Sequence, residues 1–423
     1  MKQERLKNSR LFSYAATAIP LAMLGLPLYI YLPTFYAQSV GLSVTLVGLI
    51  LFFSRLTDVI TDPLVGLYSD RVNGRYGKRK PFMFGGSLLL VASFYALIHP
   101  PEHYVEIWLL IFSMLIYLGW SIVSIPYLAW RAEITSDYHE KTRLSAAREL
   151  FTILGVLAAL VIPYLYSVSE SADKSLSILY GAFVLALLFM LPFTLMGIKE
   201  SSAKPGKQFT TFRDIRTLWK QIPSLGRLQS AFTLNSLANA LPATLFLFFV
   251  QLVLEEGSKT GPLLLLYFAS GILGLPFWTM LAKKIGKRKS WQLSMLLASA
   301  AFVFVPFLGS GDLLWFVLIT FISGLSLGAD MALPSSIQAD VVQKIEGQKG
   351  SYAGILFGIW AMLTKFALAL AVGLGFVILG VAGFEPEAPT PLALNTLALL
   401  YGGAPVLFKM FAFWIMKGYH ETE

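Results

Sequence analysis

The amino-acid sequence predicts an all-α membrane protein with twelve transmembrane helices in two pseudo-symmetric six-helix bundles. Three observations lead to this fold class. Of the 423 residues, 56% are apolar and only 13% are charged, whereas soluble domains carry about 25% charged residues. Twelve apolar stretches are long enough to cross a bilayer, which takes about 20 helical residues. Sequence signals in the first six stretches also recur in the last six.

The twelve stretches follow one another along the chain and are interrupted most clearly at its centre. They cover residues 12–36, 43–69, 81–99, 105–129, 145–167, 175–197, 228–254, 262–282, 291–309, 313–337, 352–382 and 393–416. The connection at 198–227 is the longest and most polar, and it separates six stretches from six. We therefore expect an N-terminal bundle at 1–197, a cytoplasmic central loop at 198–227 and a C-terminal bundle at 228–423.

The basic residues are concentrated on one side of the predicted membrane. Outside the apolar stretches, they fall in the two termini, in the central loop and in the loops after the second, fourth, eighth and tenth stretches. Only Lys174 and Lys259 lie on the opposite side. Because cytoplasmic loops are enriched in Lys and Arg, both termini are expected in the cytoplasm. The net charge of +9 then reflects topology and contact with anionic lipid, and it does not indicate nucleic-acid binding.

The two halves carry matching signals at matching places. The sequence Gly-Lys-Arg-Lys follows the second stretch at 77–80 and the eighth at 286–289. The fourth and tenth stretches each contain a proline near their ends, Pro126 and Pro334, and an acidic residue comes several positions after each proline. Two related six-helix halves are typical of transporters whose bundles rock around a binding site near the membrane midplane.

Four of the charged side chains inside the apolar stretches, where lipid would otherwise be expected, are the most informative for function. Arg55, Asp58 and Asp62 share one stretch, and their i, i+3, i+7 spacing places them on one helix face. Lys365 lies near the middle of the eleventh stretch. A charge at the bilayer centre costs about 2.5–3.5 kcal/mol on insertion scales, so it persists where it is paired or lines an aqueous cavity. Two carboxylates and a guanidinium on one face predict a site for a small cation.

The ligand chemistry favours Na⁺ or H⁺ as this cation. Na⁺ is a hard cation that prefers oxygen ligands, which Asp58 and Asp62 supply, together with the hydroxyl of Thr57 or Thr61 or with helix carbonyls. Two neighbouring carboxylates in a low dielectric also bind a proton readily, so H⁺ remains an alternative. If the site binds Na⁺, Asp58 and Asp62 are its metal ligands, and Arg55 and Lys365 offset their charge when it is empty.

The chain lacks the residues that most enzymes and transition-metal sites need. It has no Cys and only 4 His, which excludes disulfides and thiolate metal sites and argues against a zinc site. The sequence has no Gly-rich phosphate-binding loop, so we expect no coupling to ATP. No His lies near the middle of an apolar stretch, where it could serve as a catalytic base. We therefore expect no cofactor besides the coupling ion, and a transporter, not an enzyme such as a membrane acyltransferase.

One segment resembles a known family of transporters. The sequence DVITDPLVGLYSDRVNGRYGKRKP at 58–81 is similar to that of the glycoside–pentoside–hexuronide:cation symporters, a branch of the major facilitator superfamily. Three further segments agree with this family, namely those at 41–48, 125–150 and 339–375. The resemblance implies the major facilitator fold and the import of a sugar, a glycoside or a sugar acid together with Na⁺ or H⁺.

The resemblance also implies roles for individual residues. Asp58 and Asp62 match the carboxylates that bind the coupling cation in this family. Arg55 matches an arginine just before them, and Lys365 matches a helix 11 lysine beside the cation site. We expect these two, with Thr61, to tune the cation site. Arg148 matches a helix 5 arginine that lines the sugar site.

Two positions depart from the pattern of sugar-binding members such as melibiose permease. Those members hold sugar hydroxyls with acidic residues on helices 1 and 4, where this chain has Ala22 and Ser124. Each lost charged hydrogen bond is worth about 1.5–3 kcal/mol. A substrate that is anionic or less rich in hydroxyls therefore fits better, with Arg148 bound to its carboxylate, sulfonate or phosphate. Lysophosphatidylcholine symporters are distant members of the same branch, so a lysolipid-like amphipathic substrate is an alternative.

Other residues complete the predicted sites. Substrate contacts are expected from Arg148, Ser124, Trp120, Tyr127, Trp360 and Asn235, with helix packing as the alternative for the aromatic and amide side chains. A cytoplasmic gating network is expected from Asp70, Arg71, Arg75, Lys78 and Arg79. Asp330 is interpreted as either a substrate contact or the partner of a lysine. Lys409 is expected to extend its side chain to the cytoplasmic interface.

The sequence leaves two further transport-related functions open. One is a proton-driven exporter of the wider superfamily, which would lower the amount of substrate accumulated when the membrane is energised. The other is a sensor that has lost transport, although the retained pair Asp58 and Asp62 argues against it. The substrate, the choice between Na⁺ and H⁺, and import as opposed to exchange do not follow from the sequence. We expect a protein of a bacterial inner (plasma) membrane that functions as a monomer, with membrane lipid and a small-molecule substrate as its partners.

Overall fold

The structure, a computed structural model, describes most of the chain as helices. It describes residues 6–25, 27–71, 77, 79–134, 138–166, 171–198, 219, 223–349 and 353–419. Within this part of the chain the long helices are α1 (Asn8–Ser39), α2 (Val44–Arg71), α3 (Lys80–Ile98), α4 (Val105–Ile134), α5 (Tyr138–Leu165), α6 (Ala172–Gly197), α7 (Pro223–Val253), α8 (Thr260–Ile285), α9 (Lys287–Phe302), α10 (Leu313–Lys349), α11 (Ala353–Val381) and α12 (Pro391–Lys417).

The helices have the lengths that a membrane protein needs. Over the described residues, 11 helices are long and apolar enough to cross a membrane. The helix α2 is not among them, but its 28 residues span about 42 Å at 1.5 Å per residue, which exceeds the ~30 Å hydrocarbon core. The predicted all-α membrane fold is confirmed.

The chain divides into two compact units. The N-terminal unit comprises Met1–Leu42 and Ile50–Lys207, and the C-terminal unit comprises Ser43–Leu49 and Gln208–Glu423. The first residues of α2 thus belong to the C-terminal unit, a division that no sequence signal indicated. The domain boundaries expected from the sequence stay a prediction.

Close contacts of small residues hold α1 against α5 and α6 in the N-terminal unit. A Cβ atom added to Gly155 of α5 would lie 2.4 Å from the carbonyl oxygen of Ile19 and 2.9 Å from Cβ of Ala22. On the other side of α1, Thr194 of α6 donates its hydroxyl to the carbonyl of Ser13 at 2.6 Å. Helix α1 is therefore packed firmly enough to position the side chains that it contributes to the interior.

The second half of α1 departs from a regular α-helix. Residues Pro27–Tyr31 and Phe35–Ser39 form π-helical turns. Proline has no N–H to donate and its ring crowds the preceding turn, so the hydrogen-bond ladder has to shift near Pro27 and Pro33. Turns of this kind occur frequently at functional sites. Here the first of them carries Tyr29.

The C-terminal ends of α1 and α7 repeat one local structure. Each ends in a π-helical turn, Phe35–Ser39 in α1 and Phe249–Val253 in α7. A residue with positive φ then follows, Gly41 at 82° and Glu255 at 57°. The left-handed conformation costs a residue with a Cβ about 1–2 kcal/mol, and Glu255 accepts a hydrogen bond from Ser310 there at 2.9 Å. The internal repeat predicted from the loops thus extends to backbone geometry.

Glycines bring α8 and α10 into backbone contact in the C-terminal unit. Added Cβ atoms would lie 2.4 Å from the carbonyl oxygen of Leu325 at Gly274, and 2.5 Å from that of Gly271 at Gly328. Gly324 and Gly328 form a GxxxG motif, which lets helix backbones approach closely in a membrane. This contact fixes the first part of α10 and with it the direction of the residues that follow.

Candidate functional site

The three charged residues of α2 lie together in the interior of the N-terminal unit. Arg55 is 4% exposed and Asp58 is 6% exposed, while Asp62 is half-buried. Their spacing along a continuous helix places them on one face, as the sequence predicted. Charges at this depth need polar neighbours, and residues of α1 and α4 provide them.

Aromatic rings from two helices surround the guanidinium group of Arg55. Its Cζ atom lies 4.1 Å from the ring centre of Tyr29 on α1 and 5.0 Å from that of Tyr117 on α4. Its Nε donates a hydrogen bond to the Tyr117 hydroxyl at 3.1 Å. Cation–π contacts of this kind stabilise a desolvated arginine by about 2 kcal/mol. Among the described residues, its Nη2 is buried without a hydrogen-bond acceptor.

The carboxylates of α2 meet a hydroxyl group of α4. Ser121 donates a hydrogen bond from Oγ to Oδ1 of Asp62 at 2.5 Å, and Tyr117 lies near enough to Asp58 for electrostatic interaction. The predicted tuning residue Thr61 instead donates to the carbonyl of Asp58 at 3.5 Å. The structure therefore places the carboxylate of Asp62 beside the hydroxyl of Ser121, a residue that the sequence analysis missed.

The position of Ser121 leads to a first test. We expect Ser121→Ala to weaken Na⁺ binding about tenfold, because losing one hydrogen bond to a charged group costs about 1.5 kcal/mol. The measurement is Na⁺ titration of intrinsic tryptophan fluorescence in purified protein. Ser113→Ala is the matched control, since Ser113 is a fully buried serine two turns earlier on the same helix. Equal Na⁺ affinities in the two variants would contradict a role for Ser121.

The helix α4 presents further predicted substrate residues toward the same interior. Tyr117, Ser121 and Ser124 recur at i, i+4 and i+7, which keeps them on one face. The Trp120 ring lies 6.3 Å from the ring of Tyr29. Both Trp120 and Ser124 are half-buried, so they keep surface that a ligand can contact.

Tyr127 and Arg148 have protein partners of their own. Tyr127 is 2% exposed and stacks on Tyr14 at 4.9 Å. It donates to the Tyr14 carbonyl at 2.7 Å, and Tyr14 donates to the carbonyl of Tyr127 at 3.3 Å. The side chain thus joins α1 to α4. Arg148 forms an ion pair with Glu149, while its Nε is buried without an acceptor within the described part of the chain.

The candidates in the C-terminal unit differ in their surroundings. Trp360 stacks on Phe232 with ring centres 3.6 Å apart, as the packing alternative anticipated. Asn235 is 2% exposed and accepts a hydrogen bond from Lys409 at 2.8 Å. Lys365 is half-buried in α11.

One prediction from the sequence is wrong. Lys409 does not reach for the cytoplasmic interface, because it is 6% exposed and lies 3.1 Å from Oδ2 of Asp330. Paired in this way, its charge is neutralised inside the protein and the side chain has no need to extend to water. Asp330 accordingly has a lysine partner, one of the two possibilities weighed for it.

The predicted gating residues fall mostly outside the described side chains. Arg79 is 3% exposed and donates from Nη1 to the hydroxyl of Ser69 at 3.0 Å. Asp70 and Arg71 belong to the end of α2, but their side chains lie outside the described part, as do Arg75 and Lys78 altogether. The gating network stays a prediction.

Comparisons with known proteins agree on one kind of protein. The family described as MFS/sugar transport protein matches residues 13–422. The inner membrane symporter YicJ of Escherichia coli is 25% identical over 409 residues, covering 93% of this chain and 87% of YicJ. The uncharacterized symporter YnaJ of Bacillus subtilis is 24% identical over 409 residues, covering 93% of this chain and 87% of YnaJ.

A vertebrate relative and a solved structure extend the comparison. The sodium-dependent lysophosphatidylcholine symporter 1 of Gallus gallus is 23% identical over 466 residues, covering 100% of this chain and 88% of that protein. The crystal structure of the nucleoside transporter NupG superimposes with a TM-score of 0.68 at 13% identity, covering 98% of this chain and 100% of NupG. At that identity NupG shows the fold alone.

Proposed function

Because the chain belongs to the MFS/sugar transport protein family, and is thus a membrane transporter and not an enzyme, we propose that it imports a small solute by symport with Na⁺ or H⁺. The observation that carries this proposal is the arrangement of Asp58 and Asp62 on one face of α2, with Asp62 beside the hydroxyl of Ser121. Relatives that share most of the chain are named symporters, and one is named sodium-dependent.

The charges on α2 support the binding of one monovalent cation. Asp58 and Asp62 place carboxylate oxygens on one face of α2 in the interior of the N-terminal unit, and two neighbouring carboxylates in a low dielectric favour the binding of Na⁺ or H⁺. The empty and the occupied site therefore differ in electrostatic energy. We propose that Asp58 and Asp62 are the cation ligands and that Arg55, Lys365 and Thr61 tune the site.

Coupling follows when the cation and the substrate favour the same conformations. A carrier with both sites filled, or both empty, changes its access from one side of the membrane to the other, whereas a half-filled carrier does not. Aromatic and polar residues of the N-terminal unit, Trp120, Ser124 and Arg148, are the proposed substrate contacts. Trp120 and Ser124 lie on the α4 face next to the carboxylates, so the two ligands can influence each other directly.

A sugar, a glycoside or a sugar acid is the proposed substrate, with a lysolipid-like or other anionic amphipath as the alternative. The family description favours the first. The alternative is supported by the neutral residues Ala22 and Ser124, by the buried Nε of Arg148, and by the name of the Gallus gallus relative. We further propose that the protein resides in a bacterial inner membrane with both termini in the cytoplasm.

Uptake into proteoliposomes tests the proposed function. Glycosides, uronic acids, sulfonated sugars and lysolipids are offered with and without an inward Na⁺ gradient, and with an inward H⁺ gradient. We expect accumulation of one class only when a gradient is imposed, and no accumulation by Asp62→Asn. Asp173→Asn is the control, since Asp173 is an exposed acidic residue of the same unit. Substrate accumulation that is independent of both the Na⁺ and the H⁺ gradient, or export of substrate when a gradient is imposed, would refute symport.

A further inference from the structure

Five polar side chains form a second buried cluster, which lies within the C-terminal unit. We call it the Asp330 cluster; its members come from four helices and are Asp330 on α10, Lys409 on α12, Asn235 and Asn239 on α7, and Trp291 on α9. Asp330 accepts from Trp291 Nε1 at 2.8 Å, from Asn239 Nδ2 at 2.8 Å and from Lys409 Nζ at 3.1 Å. Lys409 also donates to Oδ1 of Asn235 at 2.8 Å.

The two charges of the cluster are well satisfied by protein groups. The side chains of Asp330 and Lys409 are each 8% exposed. A carboxylate has about four acceptor positions, and three donors already occupy three of these positions in Asp330. Little capacity is left for an ion or a substrate. This distinguishes the cluster from Arg55, whose Nη2 is buried without an acceptor among the described residues.

The cluster lies where the backbone of α10 is weakest. Pro334 lies inside α10 and has no N–H, so the carbonyl of Asp330, four residues earlier, lacks its helical donor. The stretch before this point is held on α8 through Gly324 and Gly328. Asp330 therefore marks the joint between the part of α10 packed on α8 and the part that follows the proline.

We propose that the Asp330 cluster is a clamp that ties α7, α9, α10 and α12 together at the proline joint of α10. The clamp depends on the pairing of the two charges and not on either charge alone. A bundle held in this way moves as one body during transport, because the helix that Pro334 interrupts is anchored to three neighbours. The inference goes beyond the proposed function, since it assigns the pair no contact with substrate or coupling ion.

A double-mutant cycle on the full-length protein tests the clamp. The variants are Asp330→Asn, Lys409→Met and the double variant, with Lys284→Met, an exposed lysine on α8, as the control. Thermal unfolding is followed in NaCl and in choline chloride. We expect each single variant to unfold about 10 °C below the wild type, because it leaves a buried charge without its partner. The double variant should recover more than half of that loss, and the control should not shift.

Three results would overturn the clamp. Single variants as stable as the wild type would show that the pair does not hold the helices. A double variant destabilised by the sum of the single losses would show that the two charges are not coupled. A double variant that folds normally but loses a NaCl-dependent stabilisation seen in the wild type would assign the pair to an ion site instead. None of these readouts depends on transport, so the clamp and the proposed symport are tested independently of each other.

Discussion

Replacing Asp58 or Asp62 by Asn is expected to abolish the stabilisation of the protein by Na⁺. At a Na⁺ concentration one hundred times the Kd, binding stabilises the folded state by about 2.7 kcal/mol, which raises the unfolding midpoint by about 5–10 °C in a domain of this size. Either substitution removes a proposed ligand together with one negative charge that attracts the cation. We therefore expect at least a 100-fold loss of Na⁺ affinity, equivalent to about 2.8 kcal/mol.

Differential scanning fluorimetry of purified protein measures this effect. Titrations with NaCl and with choline chloride separate Na⁺ binding from a general effect of ionic strength. Asp312→Asn is the control, because Asp312 lies in a loop ahead of α10, where its carboxylate accepts a hydrogen bond from the Gly309 backbone N–H. Full Na⁺ stabilisation in both Asp58→Asn and Asp62→Asn would exclude these carboxylates as the Na⁺ site. If Na⁺ stabilises neither the wild type nor any variant, H⁺ becomes the proposed coupling ion.

Replacing Gly328 by Leu is expected to disrupt the packing of α8 against α10. Even a Cβ at this position would lie 2.5 Å from the Gly271 carbonyl oxygen and 2.6 Å from the Leu275 backbone nitrogen. These are backbone atoms that cannot move aside without shifting a helix. Overpacking costs about 1–3 kcal/mol and more when the backbone has to yield. We expect an unfolding midpoint about 10 °C lower and a loss of monodisperse protein in size-exclusion chromatography.

A matched substitution controls for the change of residue type. Gly181 also lies within a helix, α6, but a Cβ added there meets no atom within 4 Å. Gly181→Leu should therefore leave the midpoint unchanged or raise it slightly, since Leu favours helix over Gly by roughly 0.8 kcal/mol. Equal stabilities of Gly328→Leu and Gly181→Leu would contradict the close approach of α8 and α10.

Local composition and residue spacing were enough to predict the helices and the charged face of α2. The number and length of apolar stretches depend only on local composition, because each helix has to satisfy its own backbone within lipid. The spacing of Arg55, Asp58 and Asp62 likewise translates directly into one helix face. The family motif at 58–81 begins on this same helix, so the resemblance and the periodicity led to the same residues.

The side chains that those residues contact depend on how the helices pack together in three dimensions. In the sequence, Ser121 does not differ from other serines in apolar stretches, and its role becomes visible only when α4 packs beside α2. Tyr29 contacts Arg55 from a π-helical turn, which the regular periodicity of an α-helix does not predict. The pairing of Lys409 with Asp330 joins residues 79 positions apart, and sequence reasoning about Lys409 failed for that reason. Local patterns predict which face of a helix is polar, whereas the partner of a buried polar group depends on which helices pack together. Burying a polar group without a partner costs free energy, so the packing of the helices has to supply one.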